Sequence, residues 1–258
     1  MKIKFGPSGL GSIKNAEEIL KNYSKLGLKA CEIAFTYGVY IKNKEDALRI
    51  GKIAKKLEID LSIHAPYWIN LNSNELKKIE SSKKRILDCC QIGNWIGAKR
   101  IIFHPGYFGK NKEFAFENIR LRIKEILKDI KKNKWKIELC PEIMGKVNVF
   151  GSPEEISNLV KETGCSFCID FAHVLAREKK IDWKKIKKLF PCEKWHVHFS
   201  GIEYGEKGEK RHKNLEKKQW KELLENLPSN KETTIICESP DRIRNSLEGL
   251  EIWKSMKK

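Results

Sequence analysis

Residues 60–66, with the sequence DLSIHAP, contain the pattern that decides the fold. Leu61 and Ile63 alternate with more polar residues, as in a short strand, and His64 and Pro66 follow where that strand ends. Residues 100–106, RIIFHPG, repeat this order of an apolar run, a histidine and a proline. Both segments therefore predict a strand that ends in a metal-binding side chain and then turns.

Eight apolar runs of this kind alternate with amphipathic stretches along the chain. The predicted strands are residues 3–6, 30–35, 60–64, 100–104, 136–142, 166–170, 194–199 and 233–238. The predicted helices are residues 16–26, 46–57, 74–96, 113–132, 153–162, 183–190, 217–227 and 243–256. Eight strand–helix units predict an α/β fold, a single (β/α)8 TIM barrel domain over residues 1–258. A doubly wound open sheet is the alternative, and no G-x-G-x-x-G turn follows the first strand to support it.

The composition excludes a disordered chain and gives no sign of a membrane span. Hydrophobic residues make up 40% of the sequence and charged residues 33%, and no run approaches the roughly 18 apolar residues that a spanning helix needs. The eight cysteines are scattered without the spacing of a secreted domain, so we expect a cytoplasmic protein without a membrane partner. Cys165 and Cys168 are predicted to be small buried side chains of a strand.

The charge balance is strongly basic, with 52 Lys and Arg against 34 Asp and Glu and a net charge of +18. This excess favours an acidic partner, and nucleic acid first. Many of the lysines, however, lie in helical runs such as residues 131–134 and 184–188, where a solvated helix face explains them equally well.

Metal-binding residue types end six of the eight predicted strands. They are His64, His104, Glu142, Asp170, His198 and Glu238. In a TIM barrel the carboxyl ends of all strands meet at one face, so these side chains would converge there. Buried carboxylates and imidazoles without cations would cost many kcal/mol, so the pattern predicts a divalent metal site. Imidazole and carboxylate ligands without thiolate fit Zn, Mn, Fe or Co.

Three further histidines lie close to these strand ends. His173 follows Asp170 by three residues, and His212 lies in residues 205–212, which we predict to form a polar loop after the seventh strand. Both are therefore additional candidate ligands at the same face. His196, one inward step deeper than His198, is predicted to pack in the core or to support the site.

At these residues the sequence resembles the endonuclease IV family of apurinic/apyrimidinic (AP) endonucleases, within the xylose-isomerase-like barrel superfamily. The strongest segments are residues 64–71, HAPYWINL, and 103–106, FHPG. Residues 141–142, 170–173, 197–200, 211–212 and 237–240 follow in the family's order. The resemblance implies a metal-dependent enzyme of base excision repair that hydrolyses the phosphodiester 5′ to an abasic site.

The resemblance also implies a role for each candidate residue. His64 and His104 would hold one zinc ion, and Glu142 would bridge it to a second ion, also held by Asp170, His198 and Glu238, while His173 and His212 would hold a third. Glu142 and Glu238 are the candidate catalytic residues. The expected cofactor is two or three Zn²⁺ ions, with Mn²⁺ as the alternative. Tyr67 and Trp68 would contact the DNA, and the expected partner is double-stranded DNA with abasic sites, bound by a monomer.

The chain departs from the family pattern at the third ion. Lys210 stands where the family has an aspartate ligand, and an ammonium group cannot bind a cation. We expect Glu209, one residue earlier beside a glycine, to supply the missing carboxylate. Residues 7–9, PSG, also replace the family's His-Val-Ser, and the segment after the second strand lacks an expected arginine.

Two other functions remain open from the sequence. A sugar isomerase or epimerase of the same superfamily would need only Glu142, Asp170, His198 and Glu238. A non-catalytic nucleic-acid-binding barrel would explain the charge but would leave the candidate ligands without a use.

Overall fold

Eight parallel strands form a barrel in the computed structural model, which describes residues 2–109 and 112–257. The strands of the described chain are β1 (Lys2–Pro7), β2 (Ala30–Ala34), β3 (Asp60–His64), β4 (Arg100–Phe103), β5 (Glu138–Pro141), β6 (Ile169–Asp170), β7 (Lys194–Phe199), β8 (Gly201–Gly205), β9 (Gly208–Lys213) and β10 (Glu232–Cys237). All belong to the barrel except β8 and β9, which form an antiparallel hairpin after β7. The predicted TIM barrel is confirmed.

The helices that cover the barrel are α1 (Ala16–Lys25), α2 (Lys44–Lys56), α3 (Leu76–Ile96), α4 (Ala115–Lys132), α5 (Pro153–Thr163), α6 (Phe171–Glu178), α7 (Trp183–Leu189), α8 (Lys217–Asn226) and α9 (Arg242–Ser255), with a short 3-10 turn at Ile13–Asn15. Helix α6 was not predicted from the sequence. It begins directly at the end of β6, where the Asp170 carboxylate accepts a hydrogen bond from the backbone N–H of His173. No helix of the described residues is both long and apolar enough to cross a bilayer.

Strand alternation separates the two sides of the barrel wall as predicted. Ile63 and Ile101 point outward, and both lie beside Gly93 of α3. A separate buried cluster of Ile102, Cys140 and Cys168 lies on the inward side. Cys165 and Cys168 are both buried free cysteines, as expected for core residues. Apolar residues therefore hold the helices on the outside, and the polar residues named below point into the barrel.

The barrel closes at two seams between four-stranded half-sheets. One half-sheet has the order β1-β10-β7-β6 and the other the order β2-β3-β4-β5. Parallel bridges join them, Ser8 with Glu32 at one seam and Glu142 with Cys168 at the other. Strand β5 is thus shorter than predicted, because Glu142 lies just beyond its last residue and pairs across the seam.

At the first seam the backbones approach so closely that only glycine fits. A Cβ atom on Gly6 would lie 1.8 Å from the carbonyl oxygen of Ala30, well inside van der Waals contact. The barrel hydrogen bonds hold the backbones of Gly6 and Ala30 in place, so neither backbone can move aside cheaply.

Gly6→Ala should therefore lower the free energy of unfolding by about 3 kcal/mol, the upper end for an overpacked site. Urea unfolding followed by circular dichroism measures this change. Gly205→Ala is the matched control, because its Cβ would meet only the flexible end of the Lys210 side chain. Equal midpoints for the two variants would contradict the steric role of Gly6.

Candidate metal centre

A cavity of about 530 Å³ opens at the face where the barrel strands end. Its lining includes Tyr67, Tyr107, Lys146 and Arg242, and the candidate ligands His64, His104, His173, Glu209, His212 and Glu238. Three groups of ligand atoms converge here, each within 4.8 Å of one another: His64, His104 and Glu142; Glu142, Asp170, His198 and Glu238; and Asp170, His173 and His212. A fourth group, Cys168, His196 and His198, is fully buried. The structure thus brings together all eight side chains that the sequence singled out.

Glu142 lies at the centre of this arrangement and is 1% exposed. Its Oε2 atom is 3.1 Å from Nε2 of His64 and 3.1 Å from Nε2 of His104. Its Oε1 atom is 3.1 Å from Nδ1 of His198. The two oxygens therefore face different groups of imidazoles, as a carboxylate that bridges two cations must.

Backbone carbonyl groups fix the orientation of two of the imidazole rings. Nδ1 of His64 donates to the carbonyl of Ala65 at 2.8 Å, and Nδ1 of His173 donates to the carbonyl of Ile143 at 2.9 Å. A neutral imidazole has one N–H, so in each ring Nε2 is left with a lone pair. Both Nε2 atoms point at carboxylate oxygens, which also carry lone pairs. Such pairs of acceptors need a proton or a metal ion between them.

Nδ1 of His212 is likewise held away from the cavity, 3.1 Å from Oγ of Ser200 and 3.3 Å from the carbonyl of Glu238. Two buried atoms of the third group, Nε2 of His173 and Oδ2 of Asp170, have no hydrogen-bond partner within the described residues. Buried polar atoms are rarely left unpaired. The donor set and these two atoms therefore fit a divalent cation.

The hairpin β8–β9 decides which of its side chains faces the third group. Tyr204 pairs with Glu209 and Glu203 with Arg211, so Lys210 is an extra residue, a β-bulge, on β9. An extra residue reverses the alternation of side chains, and Glu209 therefore shares the cavity side with His212. Oε2 of Glu209 lies 3.5 Å from Nε2 of His173.

Lys210 lies on the other side of the hairpin, with 60% of its side chain exposed and its ammonium 3.9 Å from Glu203. Gly145 makes room for the side chains of His173 and Glu209. A Cβ at that position would lie 2.8 Å from Cβ of Glu209 and 2.9 Å from Cδ2 of His173. The polar segment of residues 205–212 was predicted as a loop, but its pairing places Glu209 at the cavity and Lys210 outside.

Sequence reasoning missed one residue beneath this centre, Glu32. It is fully buried in the middle of β2, with Oε2 3.1 Å from Nε2 of His196 and Oε1 3.0 Å from Nε2 of His198. The hydroxyl of Ser62 donates to Oε2 at 2.8 Å. His196 is buried there, as the sequence predicted. The available signal was a glutamate inside an apolar strand, which cannot be buried without partners.

The buried charges shift the pKa values of the imidazoles. Burial alone lowers the pKa of His64, but the hydrogen bond and charge of Glu142 outweigh it and raise that pKa to about 9. For His173 the charges of Asp170 and Glu142 likewise outweigh burial and raise the pKa to about 9. Burial raises the pKa of Glu238. Without metal, protons on imidazoles therefore balance part of the carboxylate charge.

Two of the cavity-lining residues, Tyr67 and Tyr107, are exposed aromatic side chains, and exposed Tyr37 and Trp68 lie next in sequence to lining residues Thr36 and Tyr67. Trp68 is 63% exposed and Tyr67 51% exposed, and the Tyr67 ring stacks on His104 with centroids 5.4 Å apart. The two predicted DNA-contacting residues are thus free to meet a large ligand above the centre.

The chain matches known proteins over most of its length. A family model described as a xylose isomerase-like TIM barrel matches residues 20–256. Uncharacterized protein MJ0133 of Methanocaldococcus jannaschii is 35% identical over 92% of this chain and 91% of its own length. A probable endonuclease 4 of Thermoplasma volcanium is 32% identical, but the match spans 52% of this chain and 47% of that protein.

Solved structures of two kinds of enzyme share the fold. SacUVDE superposes with a TM-score of 0.74 at 18% identity, covering 95% of this chain and 88% of its own. Endonuclease IV from Thermus thermophilus gives 0.71 at 17% identity, with 99% and 98% covered. A D-tagatose 3-epimerase-like protein gives 0.73 at 19% identity, with 99% and 96% covered. At these identities the likeness shows the barrel alone.

The raised pKa values predict how the stability of chelator-treated protein depends on pH. His64 and His173 titrate near pH 9 in the folded state but near pH 6.5 when unfolded. Their contribution is therefore present below about pH 6.5 and is lost as pH rises through 9. Urea midpoints should fall between pH 6.5 and 9, and should fall less with saturating Zn²⁺, whose ligands are neutral imidazoles. Midpoints that rise over this range would contradict the assignment.

Proposed function

We propose that this chain, which belongs to the xylose isomerase-like TIM barrel family, is a divalent-metal-dependent AP endonuclease. Solved structures with the same barrel include an endonuclease IV and a D-tagatose 3-epimerase-like protein. The chain would hydrolyse the DNA phosphodiester 5′ to an abasic site. The observation that carries the proposal is the position of His64 and His104 on one oxygen of Glu142, 3.1 Å away in each case. His64 and His104 would hold a second ion beside the one held by Asp170, His198 and Glu238.

The alternative, a sugar isomerase or epimerase, needs only the group of Glu142, Asp170, His198 and Glu238. That group is present and on its own is compatible with either chemistry. His64, His104, His173 and His212 have no use in a single-ion centre, yet backbone carbonyls orient His64 and His173 toward carboxylates. Their orientation supports a centre for several ions, which suits a phosphodiester better than a sugar.

Clustered divalent cations would supply a hydroxide nucleophile at neutral pH and neutralise charge on the attacking and leaving oxygens of an in-line displacement. The preferred ion is Zn²⁺, with Mn²⁺ as the alternative. Glu142 would hold two of the ions in register through its separate oxygens. Glu238, whose Oε2 lies 3.6 Å from Nδ1 of His198, would complete the second ion's ligands at the cavity and orient the reacting phosphate.

Two cationic side chains on the cavity lining favour a phosphate-bearing substrate over a neutral sugar. Lys146 and Arg242 both line the cavity and are exposed. Among the described residues neither forms a salt bridge. Together with the net charge of +18, they are available to the phosphates that flank the cleaved bond. Tyr67 and Trp68 would fill the space where the base is missing.

For the third ion we propose His173, His212 and Glu209 as ligands. The β-bulge at Lys210 supports this assignment, since it turns Glu209 toward His173 and directs Lys210 to solvent. The chain would thereby keep a carboxylate at the third ion even though its sequence has a lysine at the family's position.

Glu209→Ala should lower the bound metal by about one ion per chain and reduce cleavage by about 10- to 100-fold, as expected for a disturbed metal site. Inductively coupled plasma mass spectrometry on protein purified without added metal gives the stoichiometry. Lys210→Ala, one residue away on the opposite side of the hairpin, is the matched control and should keep the wild-type metal content. Equal metal content in both variants would exclude Glu209 as a ligand.

The proposed reaction is tested by incubating the metal-loaded protein with a DNA duplex that contains one abasic site. We expect cleavage on the 5′ side of the site, leaving a 3′-hydroxyl, and at least a hundredfold loss in Glu142→Gln, because an amide cannot replace a charge that binds two cations. Ketohexose epimerisation is assayed with the same preparation. Epimerisation without strand cleavage would favour the alternative function, and retention of a tenth of the activity in Glu142→Gln would contradict the bridging role.

A further inference from the structure

The Glu32 carboxylate is buried one layer beneath the metal centre, at the seam between β1 and β2. Its exposure is 0%, and it contacts polar groups from three other residues, Ser62, His196 and His198. The Ser62 hydroxyl donates to Oε2, and Nε2 of His196 lies 3.1 Å from the same oxygen. Oε2 is therefore satisfied without His198.

The other oxygen faces the His198 ring. Oε1 lies 3.0 Å from Nε2 of His198, within ion-pair distance, and neither atom has a hydrogen-bond partner among the described residues. A carboxylate at this distance favours a proton on Nε2. The opposite nitrogen of the same ring, Nδ1, lies 3.1 Å from Oε1 of Glu142.

A neutral His198 imidazole, the form that binds a cation, therefore has one proton for two buried carboxylates. With the proton on Nδ1, the ring would donate to Glu142 and could not bind a cation through that nitrogen. With the proton on Nε2, the ring would face Glu32 and offer the lone pair of Nδ1 to the centre. Which nitrogen holds the proton thus decides whether His198 is a ligand.

We propose that Glu32 is a positioning residue, which holds the proton of His198 on Nε2 and thereby makes Nδ1 available to a metal ion. This inference rests on the proposed metal centre. It also accounts for a buried carboxylate that none of the three ligand groups includes. Glu32 acts through His198 and does not itself touch the substrate.

The first test measures Co²⁺ affinity of the full chain by competition with a chromophoric chelator, together with the visible spectrum of the bound Co²⁺. In Glu32→Gln the neutral amide no longer stabilises the Nε2–H form, so we expect affinity at one site to fall by about 10- to 100-fold. Thr234→Val is the matched control. It alters a buried side chain that is paired in register with His196 but belongs to none of the ligand groups, and the variant should bind Co²⁺ like the wild type.

The second test needs no variant and therefore holds even if Glu32→Gln fails to fold. Long-range ¹H–¹⁵N spectra of zinc-loaded wild-type protein with ¹⁵N-labelled histidine report the protonated nitrogen of each ring. We expect His198 with Nε2 protonated and Nδ1 bound to metal, and His64 and His173 with the opposite assignment.

The results separate this inference from the proposed function. A folded Glu32→Gln that binds Co²⁺ as tightly as the wild type, or a proton on Nδ1 of His198, would overturn the role of Glu32 and leave the nuclease proposal standing. Failure of the wild type to bind any divalent metal would overturn both. Tight binding by the wild type, weak binding by Glu32→Gln and an Nε2 proton would support the inference.

Discussion

The burial of the Glu142 carboxylate among imidazoles is the constraint on which the rest of the centre depends. A charge removed from water at 1% exposure needs compensation nearby, and here His64, His104 and His198 each lie 3.1 Å from one of its oxygens. In the metal-free chain, protons on His64 and His198, whose pKa values the buried carboxylates raise, provide part of the compensation. Divalent cations would provide it more fully, because they satisfy the carboxylate and the bare imidazole nitrogens together.

The two seams that close the barrel also position the carboxylates on either side of His198. Glu142 bridges to Cys168 at one seam, and Glu32 bridges to Ser8 at the other. Each seam thereby turns one carboxylate inward, and His198 lies between the two. Gly6 permits the close approach of β1 to β2 at the seam where Ser8 bridges to Glu32. A change in the barrel wall at either seam would therefore act directly on the charge around His198.

The barrel itself does not distinguish a nuclease from an epimerase, since solved structures of both kinds superpose on it equally well. The proposed nuclease function depends instead on what surrounds the group of Glu142, Asp170, His198 and Glu238. Here two histidines extend the centre along Glu142, and a hairpin after β7 covers the opposite side with Glu209 and His212. Lys146, Arg242 and the exposed aromatic rings add a basic and aromatic margin that suits a large anionic substrate.

The sequence alone determined the barrel and the six candidate ligands at strand ends, because period-two alternation and strand-ending prolines are local properties. His173 and His212 became candidates because they follow two of those strand ends in the sequence. It did not reveal Glu32, whose partners Ser62 and His196 are 30 and 164 residues away. Helix α6 was also missed, since its eight residues are too few to show a helical period. Glu209 was only a candidate in the sequence, and its direction was decided by the tertiary structure. A β-bulge exists only when two strands pair, and that pairing turns Glu209 inward and Lys210 outward.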